Sequence, residues 1–175
     1  MVHAESSTFA EGLTKEEVYT QVLEQASALL EGERNWVCNL SNASSLLYHA
    51  LLSLPRPSSG VNWCGFYVVD TINPSQLILG PFQGHVACQQ IPLGKGVCGT
   101  AAKEGKTQVV EDVEKFPGHI ACDSRSKSEI VVPILQAGKV VAIIDIDCAE
   151  LAGFDEVDQK HLEGFARIIA EGSDF

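Results

Sequence analysis

The chain has 175 residues, enough for one domain with a full core. Its 45% hydrophobic and 20% charged residues are ordinary for a soluble globular protein. A formal net charge of -11 disfavours nucleic acid and anionic membrane surfaces, which need clustered Lys and Arg.

The N-terminus MVHAESSTFAEG carries no basic region followed by an apolar run, no Arg-rich transit bias is visible, and no apolar run approaches ~18 residues. The expected setting is the cytoplasm, or also the nucleus in a eukaryote, without membrane contact. Thiols stay reduced there, so six cysteines point to buried, catalytic or ligating roles rather than a disulfide framework.

Residues 1–12 read as a flexible arm preceding a domain over 13–175. Thr14 and Glu17 form a capping-box pattern and Leu13 with Val18 a staple, opening a helix with the stripe Val18, Val22, Ala26, Leu29 and Leu30 that Gly32 ends. A second helix runs from about Trp36 to Leu54, with Val37, Leu40, Ala43, Leu47, Ala50 and Leu54 on one side and Pro55 as its stop. Strands are expected at Val61–Val69, Leu77–Gly80, Val86–Pro92, Thr107–Val110, Ile130–Leu135 and Val140–Asp147, with a short helix over Gly96–Glu104. Ala137-Gly138-Lys139 makes the last two strands an antiparallel hairpin. Asp155–Glu171 is a closing amphipathic helix. The order predicts an α+β layer protein, helices on one sheet face and a pocket on the other.

Strand alternation separates Ala142, Ile144, Ile146 and Cys148 from Asp145 and Asp147, which share the opposite face. The hairpin brings Glu129 to that face as well. Three clustered carboxylates attract a cation and repel one another, which raises at least one pKa and keeps a proton available. Trp63 and Tyr67 share a face with Gly65 between them, a notch suited to a methyl, a thioether or a cation. The competing readings are solvated strand positions for the carboxylates and core packing for the rings.

Cys38, Cys64 and Cys148 read as small core residues. Cys98 lies in GKGVCGTAA at a helix start, where backbone N–H groups stabilise a thiolate or take a carboxylate; the Gly-x-Gly there lacks the Walker pattern. Cys122 sits in a polar loop with His119, Asp123, Arg125 and Lys127 and is the best nucleophile from residues alone. Cys88 can serve as a resolving thiol. No CxxC pair exists, and the 88, 98 and 122 spacing matches no common zinc module.

WVCNLSNASSLLYHAL, NWCGFYV, LGPFQGHVAC, GKGVCGTAA, FPGHIACDSRSKSEIVVPI and IDID resemble the free methionine-(R)-sulfoxide reductase family of stand-alone GAF domains, from about residue 14 to 170. The resemblance implies a single GAF domain with a six-stranded antiparallel sheet, helices packed on one face and a ligand pocket on the other. It implies reduction of free L-methionine-(R)-S-oxide by cysteine chemistry. Cys122 would attack, Cys88 would resolve the sulfenic acid as a disulfide, and Cys98 would assist or compete as nucleophile. Glu129, Asp145, Asp147, Trp63 and Tyr67 would hold the substrate, thioredoxin would regenerate the thiols, no cofactor or metal would be bound, and the chain would form a homodimer. His85, Ala142 and Glu111 depart from the family's usual Lys, Gly and Pro. The alternative is a GAF module that binds a small ligand without chemistry, or a cysteine redox sensor.

Overall fold

Thr14 opens the first helix, α1 (Lys15–Leu30), through the capping box with Glu17 that the sequence predicts. The computed structural model describes residues 9–10, 12–119 and 124–175, so the expected arm at 1–12 falls mostly outside the described residues. Asn35 caps α2 (Trp36–Leu52) by accepting from the Val37 and Cys38 N–H groups. Leu40, Ala43, Leu47 and Ala50 are buried along α2 as its spacing requires. Val37 is 46% exposed and Cys38 is exposed too, so neither belongs to the expected core stripe. Both lie on the solvent side of the helix turn that Asn35 starts.

The strands are β1 (Val61–Val69), β2 (Gln76–Gly84), β3 (Gln90–Pro92), β4 (Gln108–Val110), β5 (Ser128–Gln136) and β6 (Lys139–Cys148); α3 (Gly96–Glu104) and α4 (Glu156–Gly172) complete the chain. They form one antiparallel sheet in the order β3-β2-β1-β6-β5-β4. The β5–β6 turn uses Ala137 and Gly138 at φ 48 and 76, the left-handed pair that a tight hairpin needs.

One sheet face packs under α1, α2 and α4. Cys64, Phe66, Ile130, Val132, Ile144 and Ile146 meet Val22, Leu47, Leu162 and Phe165 there. The other face carries α3 and a second apolar cluster containing Trp63, Tyr67, Val97, Ala101, Val131 and Ile143. Each strand therefore divides its residues between two cores by the period of two.

The observed β2 continues to Gly84, four residues beyond the expected end. Between Gly65 and Tyr67 on β1, the single residue Phe66 faces two on β2, a bulge at Gly80–Pro81. Pro81 is tolerated because β3 pairs only with Gln76–Ile78, leaving that side of β2 without a partner strand. The extra residue turns Phe82 onto the same face as Leu77 and Leu79.

Candidate active site

Sheet register assembles the site row by row. Trp63 on β1, Asp147 on β6 and Glu129 on β5 lie abreast, and Gly65, Asp145 and Val131 form the next row. A cavity over these rows is lined by Trp63, Tyr67, Cys88, Cys98, Glu129, Asp145 and Asp147, with His119 and Lys95 nearby. Seven of the eight residues expected at the site thus share one cavity. The eighth, Cys122, and its neighbour Asp123 lie outside the described residues.

The aromatic wall differs from the expected notch. Trp63 and Tyr67 stack with centroids 5.9 Å apart, and Trp63 stacks on Phe82 at 5.2 Å. The gap above Gly65 is filled, since a Cβ there would lie 2.3 Å from Phe82 Cβ and 2.8 Å from Trp63 Cη2. The rings form a continuous panel rather than two separated walls. Phe82 was missed in the sequence because the strand pattern breaks at Gly80-Pro81.

The polar tips of these rings secure the loop that carries Cys88. Trp63 Nε1 donates to the His85 carbonyl at 3.1 Å, and Tyr67 Oη donates to the Cys88 carbonyl at 3.0 Å. Leu79 N–H also donates to the Gln89 carbonyl at 3.0 Å. Cys88 is held in a disulfide, whereas Cys38, Cys64, Cys98 and Cys148 are free thiols.

Cys98 is placed by glycine. A Cβ on Gly99 would lie 2.4 Å from the Pro92 carbonyl oxygen, so only glycine lets α3 start this close to β3. The Gly-rich segment therefore serves close packing and sets Cys98 Sγ 3.5 Å from Glu129 Oε1, as donor to it. Cys98 is in the first turn of α3, yet its thiol is pushed well above its usual range, first by burial and then by Asp145 and Glu129. Loss of water and two carboxylates thus work against the thiolate expected at this helix start.

The carboxylates follow the sequence expectation. Glu129 and Asp145 are each 6% exposed. Burial, reinforced by Asp145 and Asp147, holds the Glu129 carboxyl well above the ordinary range. Asp145 is raised to about 6, chiefly by burial, with hydrogen bonds to Cys98 and Glu129 opposing. His119 Nε2 is 3.9 Å from Glu129 Oε2, and burial lowers the His119 pKa. Two buried acids pushed upward side by side suit a site that gives a proton from one carboxyl and attracts a cation with the other.

The chain matches the GAF domain family model over residues 12–172. It is 54% identical over 168 residues to a free methionine-R-sulfoxide reductase of Saccharomyces cerevisiae, covering 95% of this chain and 92% of that protein. It is 38% identical to a free methionine-R-sulfoxide reductase of Escherichia coli, covering 91% and 88% of the two chains. The structure of a free methionine-R-sulfoxide reductase from Neisseria meningitidis in complex with its substrate superposes with a TM-score of 0.86 at 41% identity, covering 95% and 94% of the chains. Relatives this similar along nearly the whole length, and a six-stranded sheet carrying thiols and acids in one cavity, make the chain a member of the free methionine-R-sulfoxide reductase family of GAF domains.

Proposed function

We propose that this protein reduces free L-methionine-(R)-S-oxide to L-methionine, with Cys122 as nucleophile, Cys88 as resolving thiol and Glu129 as proton donor. The observation that carries this reading is the buried Glu129–Asp145 pair, sharing a cavity with Cys88 and the aromatic panel. The Cys122 thiolate takes the sulfoxide oxygen while Glu129 protonates it, leaving methionine and a sulfenic acid. Cys88 then displaces water from that sulfenic acid to form a Cys88–Cys122 disulfide. The disulfide at Cys88, beside four free thiols elsewhere, supports this pairing. Two electrons from thioredoxin reopen it.

Asp145 and Asp147 suit the substrate ammonium. The side chain of Lys95 gives no cap to α3, so the N–H groups of Gly96, Val97 and Cys98 suit the substrate carboxylate. The Trp63–Tyr67–Phe82 panel suits the sulfur and its methyl. The high pKa of Cys98 favours an assisting role, as donor to Glu129, over attack. The proposal includes a cytoplasmic homodimer, to be checked by light scattering. No helix among the described residues is long and apolar enough to cross a membrane.

The test is turnover of the separated R and S diastereomers of free methionine sulfoxide with thioredoxin, its reductase and NADPH. NADPH consumption with the R form alone is expected. Absent consumption would overturn the reading in favour of a ligand-binding module, and equal consumption of the two forms would overturn its R selectivity. Cys122→Ser is expected to lose about a thousandfold or more in turnover, the scale of losing a nucleophile.

A further inference from the structure

We propose that Cys98, Glu129 and Asp145 form a binding site for a thiophilic divalent cation, zinc foremost, inside the cavity. One sulfur and two carboxylate donors from α3, β5 and β6 lie within 4.8 Å of one another, all buried. Cys98 Sγ and Glu129 Oε1 are 3.5 Å apart. A tetrahedral zinc with a thiolate at about 2.3 Å and a carboxylate oxygen at about 2.0 Å separates those donors by about 3.5 Å. The pair therefore already spans one edge of a zinc tetrahedron.

A second observation is independent of that spacing. Asp145 is 6% exposed, lines the cavity, and its Oδ1 has no hydrogen-bond partner. A buried carboxylate oxygen without a donor calls for one, and a cation meets that need. The remaining position of a tetrahedral ion is open to water. A thiolate beside two carboxylates in a buried site selects zinc, cadmium or cobalt over magnesium and calcium, which take oxygen shells. No sequence motif announces the site, because its ligands come from three separate elements.

Binding exchanges the thiol proton and any carboxyl proton for the metal. The cation would take the carboxylates assigned above to the substrate ammonium and to the proton. On the reductase reading, that makes it an inhibitor. Metal binding itself does not depend on that reading, so the readout is spectroscopic.

Cobalt(II) is titrated into the oxidised Cys38→Ser protein, in which Cys88 is tied in its disulfide and the exposed Cys38 is removed. One equivalent should give a near-ultraviolet thiolate-to-cobalt band that zinc displaces. Cys98→Ser in that background should lose the band and weaken zinc binding at least tenfold. Asp145→Asn should keep the band and weaken zinc by at least about tenfold, since losing even a residue that only supports a ligand costs about 10–100-fold. A missing band, a band that survives Cys98→Ser, or zinc affinity unchanged in folded Asp145→Asn would overturn the proposal.

Discussion

Cys98 Sγ donates to Glu129 Oε1 across 3.5 Å, so the thiol in the cavity that is free of any disulfide is bound to an acid instead of a base. A nucleophilic cysteine needs a neighbour that takes its proton; here burial and two carboxylates keep the proton on sulfur. The same burial raises Cys64 and Cys148, while Cys38 is exposed. Iodoacetamide near pH 8, followed by mass mapping, should therefore label Cys38 first. Cys98 should label at least about tenfold more slowly, since each unit of raised pKa removes a factor of ten in thiolate. Labelling of Cys98 as fast as Cys38 would restore it as the rival nucleophile.

Asp145 ties function to instability. Its carboxyl is raised from 3.8 to about 6, chiefly by burial, so the ionised form disfavours the fold. Below the unfolded pKa the group is neutral in both states and costs nothing. The cost grows as pH rises from about 4 to 6 and is constant above. Asp145→Asn should therefore stabilise the protein by about 1–3 kcal/mol in urea denaturation near pH 7.5, at 1.36 kcal/mol per unit, and by little near pH 4. The same variant should lose affinity for methionine, having lost the charge that meets the ammonium. Asp145→Asn that is no more stable than the parent at either pH would refute the account.

Local signals carried much of this architecture. The Thr14–Glu17 box, the α3 boundaries and the β5–β6 hairpin depend on neighbours within a few residues, and each stands where the sequence places it. Alternation also put Asp145 and Asp147 on one face, and the hairpin brought Glu129 opposite Asp147. What depended on distant packing was not legible. Cys38 reads as core because it lies in an apolar run, but it falls on the solvent side of α2, off the stripe of Leu40, Ala43 and Leu47. Phe82 comes to back Trp63 only through a bulge that looks like a strand end. The N-terminal position of Cys98 suggests a thiolate, and burial, with Asp145 and Glu129 alongside, works against it.

Asp158 anchors α1 to α4 from within. Its side chain is fully buried and accepts from Lys15 Nζ at 2.6 Å, Tyr19 Oη at 2.8 Å and the Asp155 N–H at 2.8 Å. Burial raises its carboxyl despite the ammonium alongside. Removing the carboxylate leaves the buried Tyr19 hydroxyl without its acceptor, while Lys15 keeps Asp155 at 2.8 Å, so the cost is that of an unmet buried polar group, about 1–3 kcal/mol. Asp158→Ala should lose that amount in urea denaturation. Asp158→Asn, which keeps an acceptor for Tyr19, should lose less than half as much. Equal losses would mean that the hydrogen bonds contribute nothing beyond the charge.

Gly65 is the position where the site can be deformed without touching a polar group. A methyl there would lie 2.3 Å from Phe82 Cβ, 2.8 Å from Phe82 Cα and 2.8 Å from Trp63 Cη2. Phe82 Cα is backbone, so β2 must shift or the Trp63 ring must tilt. Overpacking of this kind costs about 1–3 kcal/mol. Any tilt of Trp63 also pulls on its bond to the His85 carbonyl, which steadies the loop bearing Cys88. Gly65→Ala should therefore lower stability by that amount and raise the KM for free methionine-R-sulfoxide. A parallel loss of Trp63–Phe82 stacking would be visible as a changed near-ultraviolet circular dichroism signal. A variant with parental stability, KM and spectrum would show that the panel has slack, contrary to the distances around Gly65.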